Sequence, residues 1–395
     1  MTASLAPPEV PLRHLVTCLD GRRIPLNASE RAEKPGDVPY WGAGGVLDQV
    51  DRPLFSETLV LLGEDGAPFF EPGKDVAHLV RGPVWVNNHI HVLRPHLSVD
   101  ARYLTYSLNA VDYAQHISGS TRDKLTQDDM RRISVHLPAL DEQRRIADFL
   151  DTETTRIEGL TSLRHRQLVM LGIRSASVAE RLVLNARATW PTAPLKYLVR
   201  EIDNRDGPLG ELLSVSIHHG VVPRSSTTSD EPRADDLSNY KRVRADDLVL
   251  NRMRAFQGGV GVAPMSGIVS PDYTVMRATG RVRPRYLHYL FRSPWFVGQM
   301  AARLRGIGSS DQGNVRTPRV AFADLGSIYV PTPEPSAQDE LTGTLDDEVA
   351  RTQALISAIE RQQHLLDERR QALITAAVTG QLDVTTARVG GAHAG

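Results

Sequence analysis

Two stretches of this 395-residue chain concentrate side chains able to read or hold a polyanion. GSTRDKLTQ (Gly119 to Gln127) carries Arg122 and Lys124, and GIGSSDQGNVRTPR (Gly306 to Arg319) carries Gln312, Asn314 and Arg316. Arginine presents paired donors that suit guanine, and Asn or Gln presents the donor–acceptor pair that suits adenine. Lys, Arg, Ser and Thr hold phosphates and set position without reading sequence. Each stretch stands directly before an I-x-V segment (Ile133 to Val135, Ile328 to Val330), so the two share a place but not a sequence. Two copies that read different sequences would show that; a variable surface loop under no functional constraint would show it too. Asn251, Arg252 and Arg254 form a further cluster, left open between a DNA contact and a structural turn.

Residues for covalent or metal chemistry are wanting. The chain has no NPP-[YF] or DPP-[YF] tetrapeptide for amino methylation and no GxxxxGK[ST] phosphate loop. It also lacks the E-x-K that would complete a nuclease carboxylate–lysine centre. GGVGVAP (Gly258 to Pro264) ends in Pro264 where a dinucleotide turn needs a glycine opening a helix, so it reads as a strand with a tight bend. His89 and His91 could pair on a metal, but no third ligand is spaced nearby, and a surface or DNA-facing pair is the expectation. His218 and His219 are adjacent and would point to opposite strand faces. The lone Cys18 excludes internal disulfides and a cysteine zinc site, reads as a small buried residue, and fits a reducing cytosol.

The elements that must position these groups occur twice. PALDEQRRIADFLDTETTRIEGL (Pro138 to Leu160) and PEPSAQDELTGTLDDEVARTQAL (Pro333 to Leu355) agree at seven of 23 positions at an offset of 195. Chance would give about two at ordinary residue frequencies. At an offset of 183, PLRHLV (Pro11 to Val16) matches PLKYLV (Pro194 to Val199), VNNHIHVLR (Val86 to Arg94) matches VSPDYTVMR (Val269 to Arg277), and YLTY (Tyr103 to Tyr106) matches YLHY (Tyr286 to Tyr289). The change of offset puts a net 12-residue insertion in the second copy, most of it in the Gly306 to Arg319 stretch. This is a duplicated domain, not an array of short repeats.

The expected layout is α+β: a globule over 1–137, a long helix over 138–187, a second globule over 188–333, a long helix over 334–380, and a disordered tail over 381–395. Strands are expected at Glu57 to Gly63, Pro83 to Leu93, Asp246 to Met253 and Gly259 to Pro264, and short amphipathic helices at Tyr103 to Val111 and Arg285 to Phe296. In the long segments, steps of four and three pick out Ile157, Thr161, Arg164, Leu168, Leu171, Ser175, Val178 and Leu182, then Thr352, Ile356, Ile359, Gln363, Leu366, Arg370, Leu373 and Ala377. That seam suits two helices of roughly 60 Å pairing as an antiparallel coiled coil. Two helices packed separately on their own globules are the alternative. Ile157, Leu168, Leu171, Ile356, Ile359, Leu366 and Leu373 are the expected pairing and subunit-docking residues.

Composition agrees with two real cores: 41% of residues are hydrophobic, while no apolar run is long enough to span a membrane. The N-terminus lacks a secretory pattern, so the expected location is cytoplasmic. A net charge of −1 hides an asymmetry: residues 188–333 carry 19 Lys and Arg against 13 Asp and Glu, and residues 334–395 carry five against ten. The basic second globule suits a polyanion partner, or is solvated charge with no partner.

The alternation of globule and helix resembles the specificity subunit of type I restriction–modification enzymes. So do the I-x-V-x-x-P…Q leads into each helix, LVLNRMR (Leu248 to Arg254), GIVSPDYTVMR (Gly267 to Arg277) and YWGAGGV (Tyr40 to Val46). The ending LLDERRQALITAAVTGQLDV (Leu365 to Val384) carries the likeness furthest. The resemblance implies two target-recognition domains, each reading half of a split, asymmetric sequence in double-stranded DNA. It also implies docking of two modification subunits that methylate adenine with S-adenosylmethionine, and of restriction–translocase subunits that use ATP and Mg2+. On this reading the chain is non-catalytic and binds no cofactor or metal itself. A coiled-coil scaffold without DNA readout, and a nuclease with an unrecognised site, are the alternatives from other classes.

Overall fold

The computed structural model describes residues 7–117, 123–206, 210–217, 220–226, 237–303 and 320–385. Two compact units emerge, each built from a globule and parts of both long helices: residues 1–166 with 359–395, and residues 167–358. The long helices are Leu140–Thr189 and Pro335–Val378, 50 and 44 residues, or about 75 and 66 Å at 1.5 Å per residue.

In the first unit the core is a four-stranded antiparallel sheet in the order Val16–Cys18, Ile90–Pro95, Thr58–Gly63, Ala77–Arg81. Leu59 to Leu62 have no exposure on either face, which is why this strand reads as a continuous apolar run and not an alternation. A smaller sheet joins Gly45–Val50, Val38–Gly42 and Trp85–Val86. The single strand expected over Pro83 to Leu93 is therefore broken. Asn87 accepts the His89 N–H through its side chain at 2.8 Å and turns the chain between the two sheets. Asp100 caps the helix Ala101–Asn109 by accepting the Arg102 and Tyr103 N–H groups.

The second unit repeats this plan with the same register. Its four-stranded sheet runs Val199–Ile202, Tyr273–Ala278, Leu248–Asn251, Val260–Val262. Val16 faces Pro95 in the first unit, and Val199 faces Ala278 in the second, both shifted by 183. The PLRHLV and PLKYLV motifs supply Leu12 and Leu195, each fully buried, whose N–H groups donate to Ile133 and Ile328. Arg285 to Phe296 divides into two helices, Pro284–Arg292 and Pro294–Ala301, because Ser293 caps the second and Pro294 cannot continue the first.

One hydrogen-bonded socket, made by the repeated residues, fixes each globule to its helix. Gln143, 1% exposed, donates to the Pro138 and Ser98 carbonyls and accepts from the Asp100 N–H. Gln338, 0% exposed, does the same to Pro333, Arg281 and Arg283. Tyr106 donates to Asp151, which Arg102 also engages; Tyr289 donates to Asp346, which Arg285 holds through both Nε and Nη2. Tyr103 and Tyr286 donate to the His136 and Pro331 carbonyls. Burial pushes the Tyr106 hydroxyl up to about 12 in pKa, so it stays a donor at neutral pH.

Within each unit the helix segments run antiparallel. In the first, Ile146 and Leu150 cluster with Ile374 and Val378, while Glu153 pairs with Arg369 at 3.7 Å. In the second, Glu348 pairs with Arg174 at 3.2 Å, and Val183 and Leu341 join one core. The tail differs from expectation at its start. Leu382 and Val384 pack on the Ile374 cluster, and Leu382 donates its N–H to Ala376, so residues 381–385 are docked by two apolar anchors. Residues 386–395 lie outside the described residues.

Candidate nucleic-acid interface

In the first globule the described part of the candidate loop rests on a buried polar cluster. Lys124, half exposed, lies 3.4 Å from Glu64. Leu125 donates its N–H to the Glu64 carbonyl and presents its own carbonyl 3.0 Å from His91 Nε2. His91 Nδ1 is 2.7 Å from Asp20 Oδ2, and Gln127 donates to Asp20 and to Cys18 Sγ. Burial alone would raise the Asp20 carboxyl, yet the His91 bond and charge, the Val92 N–H and Arg23 hold its pKa down at about 2.

His91 is thus 1% exposed and corrects the expectation of a surface or DNA-facing pair. Only His89, 3.2 Å from Asp65 and 43% exposed, faces outward. Asp20, Glu64 and His91 bring ligand atoms within 4.8 Å of one another. The set does not suit a metal ion, because Arg23 fills the space between the carboxylates, 2.6 Å from Glu64 and 3.6 Å from Asp20. A cation already sits where an ion would go.

In the second globule Asn251 turns its side-chain oxygen onto the Met253 and Arg254 N–H groups, a local turn cap. Arg252 donates from Nε to the Val320 carbonyl at 3.0 Å. Val320 is the repeat partner of Leu125 at the offset of 195, so both globules clasp the same point of the chain by different side chains. Arg254 is exposed. Tyr273 faces Asn251 across the sheet; burial pushes its hydroxyl pKa up, and nearby Arg254 and Arg224 oppose that. Sequence reasoning missed Tyr273 and Arg224, which come from strands and turns distant in the chain. Arg122, Gln312, Asn314, Arg316, His218 and His219 lie outside the described residues.

Along the helices all sixteen seam positions are buried or half-buried, with Ile157, Thr352, Ile359 and Ala377 the most enclosed. Leu168, Leu171, Ile356, Leu366 and Leu373 are half-buried. Leu163, Val169, Met170, Ile173 and Leu365 are exposed at 49–63%. No helix of the described residues is long and apolar enough to cross a membrane.

Residues 9–164 match the family model described as the type I restriction modification DNA specificity domain. A putative type I restriction enzyme specificity subunit of Haemophilus influenzae is 30% identical over 144 residues, which span 36% of this chain and 36% of that protein. One solved chain, from work on complex assembly and conformational transition of the type I R-M system, matches with a TM-score of 0.70 at 16% identity, covering 96% of this chain and 100% of that one. The HsdS subunit from Thermoanaerobacter tengcongensis matches with a TM-score of 0.51 at 15% identity, covering 97% and 99%. Residues 9–164 are therefore similar to the type I restriction modification DNA specificity domain, and the chain along its length has the fold of the solved HsdS subunit.

Proposed function

We propose that this chain is the non-catalytic DNA-reading subunit of a type I restriction–modification complex. Each globule reads one half of an asymmetric, interrupted target, and the long helices carry the docking surface for two modification subunits and the restriction–translocase subunits. Adenine methylation with S-adenosylmethionine, and cleavage with ATP and Mg2+, belong to those partners in the cytoplasm. The observation that carries this reading is the duplication of a clasp, Leu125 in one globule and Val320 in the other, at the edge of stretches whose sequences differ. A scaffold would need the sockets but not two divergent polar stretches held at one place. Lys124, Arg254, Arg122, Gln312, Asn314 and Arg316 are the proposed DNA contacts, with Asn251 and Arg252 shaping the turn behind them. The test is methylation sequencing of cells that express the chain with its modification subunit. A methyl-adenine motif in two parts separated by an unread gap is expected; a continuous motif, or none, would contradict it.

A further inference from the structure

At one helix–globule contact the duplication fails in a way that leaves a charge unanswered. In the first unit Arg370 reaches from the helix to Asp75 of the globule, with two hydrogen bonds of 3.0 and 2.9 Å. The matching helix position in the second unit is Ser175. The position matching Asp75 follows from sheet register. His78 faces Leu61, which faces Val92; Gly261 faces Val249, which faces Val275; Val92 and Val275 match at the offset of 183. Asp75 therefore corresponds to Gly258, three residues before Gly261. Both partners of the ion pair are gone.

A cavity of about 410 Å³ lies at this place, within the second unit, lined by Ser175, Ala179, Tyr289, Arg292, Glu348 and Thr352 among others. Arg292 enters from the globule, its Cγ 3.9 Å from where a Gly258 side chain would begin. It donates to the Ile217 carbonyl at 2.6 Å. Among the described residues no carboxylate forms an ion pair with it. Glu348 lines the same cavity but engages Arg174 at 3.2 Å and Arg351 at 3.6 Å. Burial accordingly works against the Arg292 charge and lowers its pKa. A partly desolvated guanidinium without a counter-charge is unfavourable unless something supplies one.

We propose that the Arg292 cavity receives an acidic side chain, Asp or Glu, from the modification subunit, which supplies in the second unit the carboxylate that Asp75 supplies in the first. This rests on the function proposed above. Two observations favour a protein carboxylate over a DNA phosphate. The cavity that Arg292 lines is also lined by the apolar Leu345, Val349 and Ile356, of which Val349 is 45% exposed; desolvated charge beside apolar surface is the pattern of protein interfaces. Glu348 in the lining would also repel a polyanion more than a single carboxylate.

The experiment is calorimetric titration of the full chain with its modification subunit, beside titration with a random-sequence duplex. Arg292→Met should weaken subunit binding by about tenfold or more, as truncation of a buried interfacial charge does, while duplex affinity stays as in the parent; freeing the Ile217 carbonyl should lower Tm only modestly, because an unanswered charge is removed with it. Arg292→Lys should recover only part, because the fork is lost. Ser175→Glu should occupy the cavity from within and weaken subunit binding while leaving duplex affinity alone. Parent-like subunit binding by Arg292→Met would overturn the proposal. So would weakened duplex binding with intact subunit binding, which would make the cavity a phosphate site. Failure of the parent chain to bind the subunit at all would sink the functional reading itself.

Discussion

Replacing Gln338 with leucine should cost the second unit about 4 kcal/mol, and the size follows from its partners. Gln338 is fully buried and satisfies the Arg281 and Pro333 carbonyls and the Arg283 N–H, at 3.0, 2.8 and 2.7 Å. Leucine has similar bulk but leaves all three groups unanswered, at about 1–3 kcal/mol each before relaxation. Partial rescue by water and the gain of apolar burial bring the sum to about 4 kcal/mol, a large part of an ordinary domain's stability. With a urea dependence of about 2 kcal/mol per molar, the unfolding midpoint should fall by about 2 M. Urea titration followed by hydrogen exchange resolves which unit is affected: peptides from 188–303 should lose protection, and those from 7–117 should not. Gln143→Leu should invert the pattern, while Thr344→Leu, at an exposed position on the same helix, should stay within about 0.5 kcal/mol. A cost under about 1 kcal/mol for Gln338→Leu, or one shared equally by both units, would refute the socket as the device that holds each globule.

Arg252→Ala should cost about 1–2 kcal/mol by releasing the Val320 carbonyl and lower methylation through the second half-site as a whole; a single base position relaxing to any base would show instead that Arg252 reads DNA directly. Burial, with Arg292 and Arg285, holds the His288 pKa to about 3, so the folded second unit keeps a neutral ring; its stability should be full above about pH 6.5 and fall as pH drops below that. Melting curves between neutral and mildly acid pH should show a slope that His288→Leu reduces, and an unchanged slope would remove His288 as the cause. Seven residues inserted after Leu168, matched by seven after Gln363, add about 10 Å to both helices and nearly restore their facing; the unread gap should lengthen by about three base pairs at 3.4 Å each, and an unchanged gap in the methylated motif would show that the helices do not set it.

The sequence made the periodic parts of this molecule legible. PLRHLV and PLKYLV carry the same buried leucines twice, and YLTY and YLHY carry Tyr106 and Tyr289, which bond to each long helix, because short-range spacing dictates which side of an element is covered. The identical Gln143 and Gln338 were visible as matches, but their role was not, since their acceptors lie up to 57 residues away. The buried place of His91 is hidden from the sequence for the same reason. Its partners Asp20 and Leu125 stand 71 and 34 residues off, and only folding makes the ring a buried bridge. The start of the tail, residues 381–385, has a sequence that predicts disorder, although Leu382 and Val384 find an apolar cluster that no local pattern reveals. At the candidate interface, Asn251 and Arg252 could not be sorted into contact or support from sequence, because that depends on which carbonyl or amide each side chain meets.

The most direct measurement replaces residues 12–137 with the first globule of another specificity subunit and maps the methylated motif in cells carrying the matching modification subunit. Because each globule meets its helix through its own socket and clasps its own loop, one half of the motif should change while the other half stays as in the parent. A motif altered in both halves, or in neither, would contradict independent reading by the two globules.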